Sequence, residues 1–294
     1  MFGMDRKVVK TPYKGYKLQC CVYGDIHSRT PLVMLHGGPG GCIERYESFE
    51  ILAATGQPII MYDQLGCGYS KVPAGHKELW TVETYKEEID NVLDYLMVKD
   101  YYLLGHSWGG MLALEYILDK PKHMPKKLIL YSTLPSTKIW NDEHLEMIKD
   151  YPEEELKALL AEKDGIEVDK DILKQATKHF YNDHVGKKSD RKYKLRRRVF
   201  PKTNLEIYNY MWGPSELFGT GTLKDYDVTP KLKNIGLPTL ILHGELDEST
   251  IKMNELMHNE IKHSQYHMLK GCHHGSYNEK PEEVMEVIQK FLAD

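Results

Sequence analysis

Five short runs of unbroken apolar residues recur along the chain, each ended by turn-forming residues: 31–35 (PLVML), 58–62 (PIIMY), 101–104 (YYLL), 128–131 (LILY) and 239–242 (TLIL). A strand with one wet face alternates apolar and polar residues. A continuously apolar strand must be covered on both faces, which is the situation of a parallel sheet between helical layers. Helical patterns lie between the runs. Val82, Tyr85, Ile89, Leu93 and Leu96 fall on one stripe, and Val284, Val287, Ile288 and Phe291 repeat the pattern after Pro281. Strand–helix alternation predicts an α/β fold with a mostly parallel central sheet.

The rhythm stops between Pro135 and Pro230, where the chain turns charged, rich in Lys, Glu and Tyr, and helical in texture, as in 153–163. It resumes at Pro238. We therefore expect a core built from 1–134 and 231–294, with a helical cap, 135–230, inserted into it. The length of 294 residues suits one domain carrying such an insertion.

Net charge is −4, so there is no electrostatic footprint of a nucleic-acid binder. The run 191–198 (RKYKLRRR) stands out, and is expected to be a solvated face. No stretch approaches the ~20 apolar residues that span a bilayer, and the first residues lack an apolar leader core, so no membrane association is expected. Five cysteines without regular spacing, two of them adjacent, argue against a disulfide framework or a metal site. A reducing, cytoplasmic setting is expected. The oligomeric state is not legible.

Gly105-His106-Ser107-Trp108-Gly109 matches G-x-S-x-G, follows the YYLL run directly and leads into MLALEYIL. A strand, a sharp turn and a helix are the context this motif needs to lift a serine hydroxyl above a sheet edge. Ser107 is the expected nucleophile. His36-Gly37-Gly38-Pro39-Gly40 follows the PLVML run, and three glycines in five residues let backbone N–H groups turn inward. The amides of Gly38 and Trp108 are the expected oxyanion donors, and His36 a structural hydrogen-bonder. With the partners ordered serine, acid, histidine, the acid comes from 240–247 (LILHGELD): Asp247 is preferred to Glu245 and Glu248. The base comes from the last loop. His274, followed by Glu279 and Pro281, is preferred to His273. His144, His179 and His184 fall in the insertion and are expected at the surface.

HGGPG at 36–40, YDQLGCG at 62–68, GHSWGG at 105–110, GPSE at 213–216 and GELDE at 244–248 together resemble the proline iminopeptidases, prolyl aminopeptidases of the α/β-hydrolase fold. The resemblance runs from Pro31 to the C-terminus and is looser in the cap. It implies removal of an N-terminal residue, often proline, from a small peptide with a free N-terminus, without a cofactor or metal. It further implies that Glu216 and Glu248 hold the substrate's amine, and that the proline pocket is aromatic, with Trp212, Tyr208 and Tyr210 as candidates. His273 departs from the pattern, which usually has a small residue before the catalytic histidine. An amino-acid amidase or esterase acting on prolinamide-like compounds would use the same parts. A serine at 107 disfavours epoxide hydrolases and dehalogenases, which need a carboxylate there. A non-catalytic receptor is disfavoured because no part of the machinery is missing.

Overall fold

The structure, a computed structural model, describes residues 6–193 and 201–294. One eight-stranded sheet runs in the order β1-β2-β4-β3-β5-β6-β7-β8. The strands are β1 (Arg6–Tyr13), β2 (Tyr16–Tyr23), β3 (Leu32–Leu35), β4 (Ile59–Tyr62), β5 (Tyr102–His106), β6 (Leu128–Tyr131), β7 (Thr239–Gly244) and β8 (Ser264–Leu269). β1 and β2 form an antiparallel hairpin whose second strand pairs antiparallel with β4. All pairings from β4 to β8 are parallel.

The apolar runs serve both faces of this sheet. Val33, Leu35, Leu103, Leu128, Leu130 and Ile241 point to one side, into a core shared with α2 (Val82–Tyr95), α3 (Trp108–Leu118) and α8 (Ile251–Glu260). Their neighbours Leu32, Met34, Leu104, Ile129, Tyr131, Leu240 and Leu242 point to the other, against α1 (Glu50–Ala54) and α10 (Pro281–Ala293). Period-two alternation is present, but both phases are apolar because both faces are dry.

Between β6 and β7 the chain leaves the sheet through α4 (Thr137–Ile148), α5 (Glu153–Lys163), α6 (Lys170–Phe180) and α7 (Leu205–Met211). An isolated antiparallel bridge between Ser136 and Asp227 ties the two ends of this excursion together. Ile148, Leu159, Ala176, Phe180, Leu217 and Phe218 form a small core of its own. The short helix α9 (Ser276–Glu279) follows the last loop and precedes α10. Among the described residues no helix is long and apolar enough to cross a membrane, and all five cysteines are buried and unpaired.

Candidate active site

The turn between β5 and α3 holds Ser107 at φ 56° and ψ −125°, a conformation that costs a non-glycine residue of order 1–3 kcal/mol. Tight packing imposes it. A Cβ on Gly105 would run into the carbonyl of Gly109, and one on Gly109 into the carbonyl of Leu35, so glycine is required at both flanks. Ser107 Oγ faces a cavity of about 460 Å³ lined by Gly37, Gly38, Glu216, Glu248 and His274, among others. Among the described residues the N–H groups of Gly38 and Trp108 donate to no acceptor, as expected of a helix's first turn in the case of Trp108.

His274 Nδ1 lies 2.8 Å from Asp247 Oδ1. Asp247 is buried and receives Ser132 Oγ at 2.5 Å and the N–H of Ser249 at 2.8 Å. Burial alone would raise the pKa of Asp247, but the His274 charge and these donors outweigh it and hold it at about 2. Glu245, the rejected alternative, instead accepts from the Gly271 N–H. His273 turns away from the site: its N–H and its ring both bond Glu279, at 2.9 and 3.1 Å. The glutamate of the H-x4-E-x-P spacing therefore braces the residue before His274.

The other ring nitrogen, His274 Nε2, lies 3.5 Å from Glu248 Oε1. Glu248 is 1% exposed, and neither of its oxygens has a hydrogen-bond partner among the described residues. Burial opposes a charge on both groups. For His274 the surrounding carboxylates of Glu248, Asp247 and Glu216 outweigh burial and hold the imidazole up at about 9. For Glu248 burial and the nearby acids dominate and push its carboxyl well above the usual range. Between them the pair keeps a proton near neutrality, and we place it on Nε2, where two further carboxylates favour the cation. Glu216, across the cavity, accepts from Tyr181 and Tyr208 at 2.9 and 2.7 Å on one oxygen.

The motif residues outside the candidate triad have definite tasks. His36 Nδ1–H donates to Gly37 O, and its Nε2 accepts from the Gln64 N–H. Gln64 in turn donates to His36 O and accepts from the Trp108 indole, so the YDQ segment joins the glycine loop to the serine turn. His36 is thus the structural hydrogen-bonder expected. Sequence reading missed a second chain. Tyr46 accepts from the Gly37 N–H at 2.8 Å and donates to His106 Nδ1 at 3.0 Å, and His106 Nε2–H reaches His274 O at 3.2 Å. His106, the variable residue of G-x-S-x-G, carried no signal beyond its place in the motif.

Two expectations need correction. His144 is not a surface residue: it is fully buried, with its ring nitrogens 2.8 Å from Leu217 O and 2.9 Å from Glu248 O. Burial lowers its pKa to about 3, and a neutral ring has one N–H, which it gives to one of these carbonyls at a time. The hydrophilic composition of α4 hides this inward face. Of the proposed aromatics, only Tyr208 lines the cavity. Trp212 is buried and donates to Glu216 O, and Tyr210 lies under Lys77 Nζ. Residues 194–198 of the basic run lie outside the described residues, while Arg191 and Lys192 are exposed, as expected, and Arg191 also lines the cavity.

A serine hydroxyl and an imidazole that line one cavity at the carboxyl edge of a parallel sheet, with a buried carboxylate on the imidazole, fit one class, the serine-type α/β-hydrolases. The alpha/beta hydrolase fold family matches residues 30–281. The chain is 39% identical over 287 residues to the proline iminopeptidase of Lactobacillus helveticus, covering 96% of each chain. Among solved structures, VinJ superposes with a TM-score of 0.85 at 30% identity over 98% of each chain. The proline iminopeptidase of Mycobacterium smegmatis does so at 0.82 and 28%, again over 98% of each. The chain belongs to the proline iminopeptidase family.

Proposed function

We propose that this protein is a serine aminopeptidase that releases an N-terminal residue, preferentially proline, from short peptides through an acyl-enzyme. Ser107 gives its proton to His274 Nε2 as its oxygen attacks the first carbonyl carbon of the peptide. Asp247 keeps His274 in the tautomer that accepts at Nε2 and stabilises the imidazolium. The oxyanion sits on the N–H groups of Gly38 and Trp108, each worth a few kcal/mol of barrier. The C–N bond then breaks as His274 returns the proton to the leaving amine, and water hydrolyses the ester by the same route.

The observation that carries this reading is Glu248, a buried carboxyl without a described partner, beside the reacting imidazole and sharing the cavity with Glu216. A protonated substrate amine supplies the positive charge such a recess lacks, through charge-assisted hydrogen bonds. A blocked N-terminus cannot. The excursion 135–230 then acts as a cap that brings Glu216, Tyr181 and Tyr208 over the serine, a reading supported by its bridged ends and its own core. The unpaired cysteines fit a reducing compartment, and we propose the cytoplasm.

A panel of aminoacyl-naphthylamides with N-acetylated controls tests the proposal. Prolyl-naphthylamide is cleaved and its acetylated form is not. Glu216→Gln raises KM for free-amine substrates by about tenfold, the scale of one lost charge-assisted contact, and leaves a simple ester much less affected. Comparable turnover of acetylated substrates removes the amine recess from the mechanism.

A further inference from the structure

The cavity in front of Ser107 carries both signs of charge. Glu216 and Glu248 line it, the one accepting from Tyr181 and Tyr208 and the other beside His274, and so do the exposed side chains of Arg45 and Arg191. Among the described residues neither arginine has a carboxylate partner. Arg45 stands in the 3-10 helix Ile43–Phe49, just beyond the glycine loop, and spends one nitrogen on Thr203 Oγ1 at 2.8 Å. Arg191 begins the segment after Asp190, whose next two amides, of Lys192 and Tyr193, donate to Asn278 O at 2.8 and 3.0 Å.

Asn278 ties the two together. Its side-chain amide reaches Arg45 O at 3.5 Å while its backbone holds the Arg191 segment. It is 4% exposed and lines the cavity, and among the described residues its Oδ1 has no hydrogen-bond partner. Both arginines also act on the neighbouring phenol: burial raises the Tyr277 pKa, and Arg45 and Arg191 each pull it back. Among the described residues, two cations without a carboxylate partner thus flank an amide oxygen without a donor. On the reading proposed above, the amine of the substrate is held by the acidic part, so the chain beyond the scissile bond must run toward the remaining wall.

We infer that Arg45 and Arg191 form a subsite for the free C-terminal carboxylate of the substrate, with Asn278 receiving a peptide N–H beside it, so that the preferred substrates are peptides of two or three residues held by charge at both ends. Guanidinium groups match a carboxylate in a planar, two-bond geometry. A longer peptide, or one whose C-terminus is an amide, presents no anion there and leaves the arginines unpaired. The acidic part selects an N-terminus, and the basic part selects shortness. This separates a peptidase from an amidase: prolinamide engages only the first part.

The inference rests on the aminopeptidase reading, and one series of measurements tells the two apart. The kcat/KM of prolyl-glycyl-glycine is compared with that of its C-terminal amide in the wild type, in R45Q, in R191Q and in the double variant, with prolyl-naphthylamide alongside. The wild type favours the free acid by about tenfold, the scale that charge-assisted contacts at a partly hydrated rim supply. The ratio falls in each single variant and approaches one in the double variant. It also shrinks at high salt, since the pairing is screened. Because each ratio is taken within one variant, a general loss of activity or stability does not move it. Equal rates on acid and amide in the wild type, or a ratio unchanged in the double variant, overturn the carboxylate subsite. Failure of the wild type to cleave prolyl-naphthylamide sinks the aminopeptidase reading instead.

Discussion

Replacing Glu248 by glutamine should make Ser107 more reactive at neutral pH toward a reagent that carries no amine, while making the enzyme worse on its substrates. Glu248 Oε1 lies 3.5 Å from His274 Nε2, the nitrogen that accepts the serine proton in the proposed mechanism. At an effective dielectric of 20, two unit charges at that distance interact by about 5 kcal/mol. One pKa unit corresponds to about 1.4 kcal/mol, so a third of that interaction moves His274 by a full unit. The remaining groups facing the ring are Asp247 and Glu216, which support its charge, and His106 and His144, which burial keeps neutral with pKa values lowered to about 3. With His274 at about 9 in the wild type, only about 1% of it is neutral at pH 7. The assay is the rate of Ser107 labelling by a fluorophosphonate across pH 5 to 10. We expect the acid limb in Glu248→Gln to lie at least one unit lower, and labelling at pH 7 to be about tenfold faster. KM for prolyl-naphthylamide rises in the same variant. Superimposable labelling profiles, or slower labelling at pH 7, would refute the claim that Glu248 holds a proton on the base.

Asp247→Asn keeps the shape of the site but leaves His274 free to adopt the wrong tautomer, and kcat should fall by about 10³- to 10⁴-fold with melting temperature changed far less than activity. His144→Ala removes a buried donor that serves Leu217 O or Glu248 O. It should cost about 2–4 kcal/mol in denaturant titrations and raise KM through the loosened Glu248. Stability should also fall on acidification. Burial lowers His36 to about 4 and His106 and His144 to about 3, so each stays neutral in the folded protein after its unfolded counterpart charges near pH 6.5. Their contribution is full above pH 6.5 and is lost as pH falls toward those values, at about 4 kcal/mol per pH unit for the three together, offset in part by Asp63, which burial raises to about 6 and which therefore stabilises the fold as pH falls through that value. His274, raised to about 9, is protonated in both states below pH 6.5, so its contribution is full and constant there. A melting temperature flat between pH 6.5 and 5 would contradict this.

The central strands β3 to β7 were legible because both faces are covered, which leaves an unbroken apolar run that a sequence displays directly. β1, β2 and β8 were not read. β1 lies at one edge and interleaves charged residues (RKVVKTPY), and β8 at the other carries half-buried polar residues (SQYHML). Neither has the composition that double burial forces. Ser107 and Asp247 were chosen from a strand followed by glycine, and His274 from its place in the last loop with Glu279 and Pro281 behind it, all short-range signals. His144, Tyr46 and Asn278 were not, since their importance lies in contacts with residues 104, 60 and 233 positions away. Such contacts leave no local pattern. The same holds for Arg45, which reads as an ordinary surface arginine until the fold sets it on the wall of the serine's cavity.

A base that rests protonated at neutral pH would be a poor base if substrate left its surroundings unchanged. The substrate proposed here does not. A cationic N-terminal amine entering between Glu216 and Glu248 brings the positive charge those carboxylates otherwise draw onto His274, so the imidazole loses the interaction that holds its pKa up. Binding and arming of the base thereby become one event, and the coupling is reciprocal: whatever the amine takes from the His274 proton, the proton takes from amine affinity. An acetylated substrate then fails twice. It makes no contact with the acids, and it meets an imidazole already carrying the proton it should accept. The loss should appear in kcat as well as in KM, whereas a recess that only bound the amine would raise KM alone.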